Sequence, residues 1–302
     1  MPLVEFPDFL TLESVAPAGD RCLLISNDSR RGIRLRRTGE EPRDLSWFGN
    51  SIVADLSTDE TRLLFYDGGL SEQTSGLWVR PTRGGDAVRI GDGETGAFSP
   101  DGRFVAASTR ATRGASKLVL YPIGPGSAVT LASTTIGQWT VSFAGPDTVL
   151  FRDEREGTSS IWSVRIDGTG ARSLGVTGCG HPAANRAGTE FACIVDGTFD
   201  AIRVHPLGGG PERMRIRVDS SDRLVSVAWS ADGENLLGVT EKSRLLVVRA
   251  ADGFQTREET LPLPEEAGTR RITSAVLNGD GTFQAYSFVR AQSGLYLCLG
   301  LR

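Results

Sequence analysis

The chain has 302 residues, 39% of them hydrophobic, with 37 Gly and 14 Pro. Its 33 Lys and Arg against 37 Asp and Glu leave a formal charge of −4, so no overall basic field draws phosphate backbones and nucleic acid is not an expected partner. No run approaches the roughly 18 apolar residues of a membrane-spanning helix, and the first residues carry neither the basic nor the apolar region of a signal peptide, so the chain as it stands reads as cytoplasmic.

In chain order, Leu3-Val4-Glu5-Phe6 is a short apolar strand, and after it one pattern recurs: a four-residue turn, a link, then an apolar run. The turns begin at Pro17, Ser57, Ser99, Ala144, Asn185, Ser230 and Asn278, with spacings of 40 to 48 residues. Ser99-Pro100-Asp101-Gly102 is the clearest copy. There Pro presets φ, Asp bonds its own backbone and Gly takes a conformation other residues resist. The runs that follow, such as Leu63-Leu64-Phe65, Arg103–Ser108, Val149-Leu150-Phe151 and Phe191–Ile194, have strand length. Third strands are expected at Gly32–Arg37, Leu77–Arg80, Lys117–Ile123, Ser160–Ile166, Ala201–Pro206, Arg244–Arg249 and Leu295–Leu301.

Several short strands in a repeat of this length specify a blade of a β-propeller. The expected fold is all-β: a single domain over residues 1–302, a seven-bladed propeller of four-stranded blades. The seventh unit runs out of chain after its third strand. The N-terminal strand Leu3–Phe6 is therefore expected to pair in the last blade and close the ring, because an open ring leaves two unpaired edges.

Candidate chemistry is sparse. Gly91-Asp92-Gly93-Glu94-Thr95-Gly96 matches a dinucleotide fingerprint, but a strand rather than a helix follows it, so it reads as a link between blades. Cys179-Gly180-His181 offers soft ligands in one short pair only, too few for structural zinc. Cys22, Cys179, Cys193 and Cys298 lack paired spacing, and those within apolar runs read as buried inert thiols with no disulfide framework. Asp55 is a lone acid near an inner strand, which does not make a cation site. No Gly-x-Ser-x-Gly elbow occurs. No catalytic residue, metal or cofactor is therefore expected.

Recognition is the better expectation. In a propeller the loops joining second to third strands and those joining blade to blade share one face. Asn27–Gly32, Tyr66–Gly76, Thr109–Ser116 and Arg152–Ser160 belong to the first set. The candidate recognition residues on this face are Trp47, Phe48, Arg113, Trp139, Arg155, Arg270 and Arg271, since aromatic and Arg anchors favour binding. The expected partner is a protein or small-molecule ligand, bound by a monomer.

The repeated Ser-Pro-Asp-Gly turn resembles the WD-repeat-like blades of TolB-type propellers. Leu45-Ser46-Trp47-Phe48-Gly49-Asn50-Ser51, Phe98-Ser99-Pro100-Asp101-Gly102 and the ending Leu295-Tyr296-Leu297 resemble more closely the C-terminal propeller of bacterial serine/threonine protein kinases. Glu60, where Gly is usual, and Asn278-Gly279, where Ser-Pro is, depart from the pattern. The resemblance implies a non-catalytic sensor or interaction domain of a kinase-type signalling protein, extracytoplasmic if membrane-anchored. A stand-alone Tol-like envelope scaffold is the alternative, and a metal-dependent propeller hydrolase or lactonase a weaker one.

Overall fold

The turn that organises the sequence is built as its residues dictate. In the computed structural model, the Gly102 amide donates to Ser99 O at 2.8 Å, and Ser99 Oγ donates to Asp101 Oδ1 at 2.6 Å and accepts from the Phe104 amide at 3.0 Å. Gly102 has φ of +67°, the left-handed conformation that favours Gly. The structure describes residues 10–69, 75–109, 116–134, 141–155, 158–219, 221–265 and 268–299.

These residues form antiparallel sheets. The N-terminal strands are β1 (Leu10–Val15), β2 (Arg21–Arg37) and the short β3 (Arg43–Asp44). The next sheet holds β4 (Ser51–Leu56), β5 (Arg62–Asp67), β6 (Gly76–Pro81) and β7 (Val88–Gly91). Then come β8 (Thr95–Phe98), β9 (Phe104–Thr109), β10 (Ser116–Pro122) and β11 (Val129–Thr134). The following sheet holds β12 (Val141–Phe143), β13 (Thr148–Arg155), β14 (Thr158–Arg165) and β15 (Arg172–Thr177). Next are β16 (Cys179–Ala184), β17 (Glu190–Val195), β18 (Ala201–Pro206) and β19 (Met214–Arg217). After them come β20 (Leu224–Trp229), β21 (Asn235–Thr240), β22 (Arg244–Arg249) and β23 (Gln255–Thr260). The last strands, β24 (Thr269–Leu277) and β25 (Phe283–Leu299), join the first three in one sheet of order β1-β2-β25-β24, with β3 on β2.

Seven turns thus give six sheets among the described residues, not seven blades. The first and seventh units were each expected to fold as a hairpin. Instead the second and third strands of each fuse into one 17-residue strand, and the two long strands pair with each other from Arg21↔Leu299 to Arg37↔Phe283. The expected loop Asn27–Gly32 lies inside β2. The physical reason is ladder continuity: neither segment has a Pro-Asp-Gly turn to force a reversal, and the long ladder satisfies the backbone groups without one. Ser293 Oγ reinforces the middle by donating to Asn27 Oδ1 at 2.8 Å. The expected closing strand Leu3–Phe6 lies outside the described residues.

Six inner strands, β4, β8, β12, β16, β20 and β24, contact one another in that cyclic order, the last returning to the first. One hydrophobic cluster fills each gap between neighbouring sheets. Ile33, Leu35 and Phe283 meet Leu63 and Phe65, for example, and Tyr286 and Ile272 meet Val239 and Leu245. Burial of such side chains, each worth roughly 1.5–3 kcal/mol, is the main force holding sheet against sheet.

The two turns that depart from the repeat compensate each other. Glu60 has φ of +58°, which Gly would adopt without strain. Its carboxylate accepts from Asn278 Nδ2 at 2.6 Å and Arg37 Nη2 at 2.9 Å, both on the adjoining sheet. Backbone strain at one turn is offset by a tie between sheets.

Cys179 and Cys193 are joined by a disulfide, correcting the expectation of free thiols. Both side chains are fully buried, as their apolar surroundings imply. The pairing was missed because a separation of 14 residues is no short motif, whereas in the fold the two lie on paired strands β16 and β17 with Cα atoms 5.8 Å apart.

Candidate functional site

A central cavity of about 500 Å³ is lined by all six inner strands. Its wall is made mostly of small, aliphatic and hydroxyl side chains, because each inner strand offers alternate residues to the centre and packs the others between sheets. Among the described residues, titratable groups enter it at four points: Arg31, Asp55, Glu94 and His181.

The wall is stitched by hydrogen bonds between neighbouring sheets. Asp55 of β4 accepts the Phe98 amide of β8 at 2.7 Å on Oδ2 and its neighbour Leu56 amide at 2.8 Å on Oδ1. Trp229 Nε1 of β20 donates to Ala183 O of β16 at 2.9 Å. Ser274 Oγ of β24 donates to Val53 O at 2.9 Å, and Ser287 Oγ accepts the Val53 amide at 2.7 Å. The cavity is therefore pre-formed, with walls fixed by more than apolar contact.

Its two central titratable groups are both pushed toward neutrality. Burial raises the Asp55 carboxyl to about 7, against the opposing pull of its two amide donors. Burial lowers the His181 imidazole to about 4, opposed by Asp196 and assisted by Arg152. Desolvation dominates in both cases. His181 also has φ of +54° at the bulge between Gly180 and Ala183, a strained conformation that presents its ring to the cavity. Arg31 is held against the cavity by its Nη1 donating to Asn50 Oδ1 at 3.0 Å.

The residues expected to form the recognition face are placed differently. Trp47 is half-buried beside Trp78, 6.3 Å between ring centroids, with the Arg80 guanidinium 5.1 Å above its ring. It packs against the core between the first two sheets and does not line the cavity. Phe48 sits on the same cluster, 5.8 Å from Trp78, and stays 38% exposed. Arg270 and Arg271 are exposed at the start of β24, and Arg271 pairs with Glu241 at 3.3 Å. Arg155 ends β13, where its backbone pairs with Thr158. Arg113 and Trp139 lie outside the described residues. Trp47, Phe48, Arg270 and Arg271 do not line the cavity.

Asp55 and His181 are the residues that sequence reasoning undervalued. An acid inside the run Ile52–Leu56 was a signal, because a charge interrupting an apolar strand needs a partner. His181 counts in the sequence only as one member of an insufficient ligand pair, and it lies within β16. Cys179, the one cysteine of the stretch Cys179-Gly180-His181, is taken up in the disulfide. Among the described residues no group of three His, Cys, Asp or Glu side chains is arranged to hold a metal ion. The glycine-rich segment from Gly91 to Gly96 links β7 to β8, as its sequence context required.

No protein-family model matches the chain. Ribosome maturation factor RimM of Symbiobacterium thermophilum is 35% identical over 78 residues, which is 23% of this chain and 45% of that protein. The chain thus spans less than half the length of this curated relative. Among solved structures, a TolB-assigned protein from Agrobacterium tumefaciens matches with a TM-score of 0.66 and 18% identity, covering 88% of this chain and 99% of that one. TolB from Acinetobacter baumannii gives a TM-score of 0.54 and 13% identity over 92% of this chain and 66% of that one. A nidogen/laminin complex gives 0.58 and 12% identity over 76% of this chain and 94% of that one. At these identities the likeness shows the fold alone, a β-propeller.

Proposed function

We propose that this chain is a non-catalytic propeller that binds a protein partner, receiving a segment of it in the central cavity. The observation that carries the reading is the cavity: a pre-formed space walled by six strands, whose lining is as polar as it is apolar. Such a lining favours an extended segment that presents both apolar side chains and hydrogen-bonding groups. The solved neighbours support a binding role, since two are TolB proteins and one is a complex between two proteins.

Two settings suit this module. One is a Tol-like scaffold of the cell envelope; the other is the sensor domain of a kinase-type signalling protein, favoured by the sequence resemblance. The buried Cys179–Cys193 disulfide supports an extracytoplasmic setting for either, because such bonds persist in oxidising compartments.

The test compares two baits in affinity capture from source cells: the unmodified protein and Thr95→Trp. Thr95 lines the cavity and is half-buried, so an indole there fills the space. A partner recovered with the first bait and lost with the second supports the reading. Equal recovery by both refutes binding through the cavity. The size of the native polypeptide by immunoblot separates the settings: far above 32.3 kDa favours the kinase sensor, and near that value the free-standing scaffold.

A further inference from the structure

The two remaining cysteines are far apart in sequence and adjacent in space. Cys22 lies near the start of β2 and Cys298 near the end of β25, and the ladder register pairs them directly. Neither is in a disulfide. Directly opposed residues of an antiparallel pair have Cα atoms about 4.5–5.5 Å apart, within the roughly 4.4–6.8 Å window that a disulfide accepts.

Their location gives the pair a role. β24 follows β25 only as far as Arg290, so beyond it the sheet is reduced to β1, β2 and β25. This extension buries little: Leu295, Leu297 and Leu299 are 62–69% exposed. It joins the beginning of the described chain to its end, and strand pairing alone holds its tip, where Cys22 and Cys298 sit one pair from Arg21↔Leu299.

We propose that Cys22 and Cys298 form a second, reversible disulfide that clasps the first long strand to the last, made by exchange with an external disulfide such as oxidised glutathione or a disulfide oxidoreductase. Cys298 is the better exposed of the two, whereas Cys22 is buried. The Cys298 thiolate attacks one sulfur of the external disulfide, forming a mixed disulfide and releasing one thiol. The Cys22 thiolate then attacks the Cys298 sulfur, releasing the second thiol. Two protein thiols are oxidised by two electrons, and one external disulfide is reduced to two thiols. Burial and the neighbouring Cys298 thiol raise the Cys22 pKa, so the second step is faster in mildly alkaline buffer. The clasp closes a loop of nearly the whole chain, the arrangement in which a cross-link restricts the unfolded state most.

The experiment incubates the full chain with oxidised glutathione at pH 8, quenches with acid, alkylates free thiols and maps peptides without reduction. The expected result is a cross-linked pair of peptides carrying Cys22 and Cys298, and a midpoint of thermal unfolding raised by roughly 5 °C or more over the protein before oxidation. In Cys22→Ser the glutathione adduct should remain trapped on Cys298, and in Cys298→Ser the oxidant should leave the midpoint unchanged. Alkylation of both cysteines after oxidation, or a stable glutathione adduct on Cys298 in the unmodified chain, would overturn the proposal.

Discussion

Replacing Asp55 by Asn should change how stability depends on pH, and in a direction the structure fixes. The Asp55 carboxyl moves from 3.8 to about 7 on folding because the cavity wall desolvates it. The folded state therefore resists ionisation. Below about pH 4 the group is neutral folded and unfolded, and its contribution is greatest. As pH rises from 4 to 7 the unfolded chain ionises first, and that stability is lost; above 7 the loss is complete. Three units at 1.36 kcal/mol each set an upper limit of about 4 kcal/mol, and the partial exposure of Asp55 to the cavity reduces this to roughly 2. Asn has the same shape and no charge. Its one carbonyl oxygen accepts either the Phe98 or the Leu56 amide, while its amide group opposes the other, a cost of about 1–3 kcal/mol at every pH. The variant should be the less stable protein at pH 4 and should close or reverse the gap at pH 8. Urea unfolding at a series of pH values, followed by tryptophan fluorescence, measures the difference between the two proteins. Shifts from other titrating groups cancel in that difference. A gap that stays constant from pH 4 to 8 would refute the desolvation argument.

Three other perturbations probe separate parts of the account. Glu60→Ala should destabilise by about 1–2 kcal/mol, because it removes the hydrogen bonds to Asn278 and Arg37 and keeps the left-handed strain, whereas Glu60→Gly should cost about 1 kcal/mol less; chemical denaturation that ranks Ala above Gly would contradict this. Replacing both Cys179 and Cys193 by Ser should lower stability by roughly 3 kcal/mol, as expected for a loop of this length, and a melting curve matching the disulfide form would show that the link contributes nothing. His181→Gly should relieve backbone strain and remove the penalty that appears as pH falls from about 6.5 toward 4, where the unfolded imidazole takes a proton that the folded one resists; the unmodified protein should lose stability over that interval relative to the variant, which paired unfolding curves would reveal.

Much of the fold was legible because its signals are local. A Ser-x-Asp-Gly turn makes its hydrogen bonds within six residues, so Ser99 and Ser230 could be read as turns from composition alone. The third strands expected at Ala201–Pro206 and Arg244–Arg249 match β18 and β22 residue for residue. Where pairing is chosen over a long distance, the local reading failed. Nothing near Asn27 or Gln292 states that these residues face each other, and it is that pairing which turns seven repeats into six sheets. The same limit hid the cavity. Its wall takes a few residues from each of six strands, and none of those short stretches carries a binding motif of its own. Trp47 drew notice for its type and location in a loop, yet a large aromatic there can equally fill the gap between sheets, as it does against Trp78 and Arg80. Asp55 stood out only as a charge in an apolar strand, and its meaning depended on the Phe98 amide 43 residues away.

Partner binding inside the cavity is tested most directly by contact from within it. A photoreactive amino acid placed at Thr95, on the cavity wall, is compared in cells with one at Val88, 64% exposed on the outer strand β7. The account predicts a discrete cross-linked species from position 95 and none from position 88. A species formed from position 88 alone would contradict it, moving recognition from the centre of the propeller to its rim.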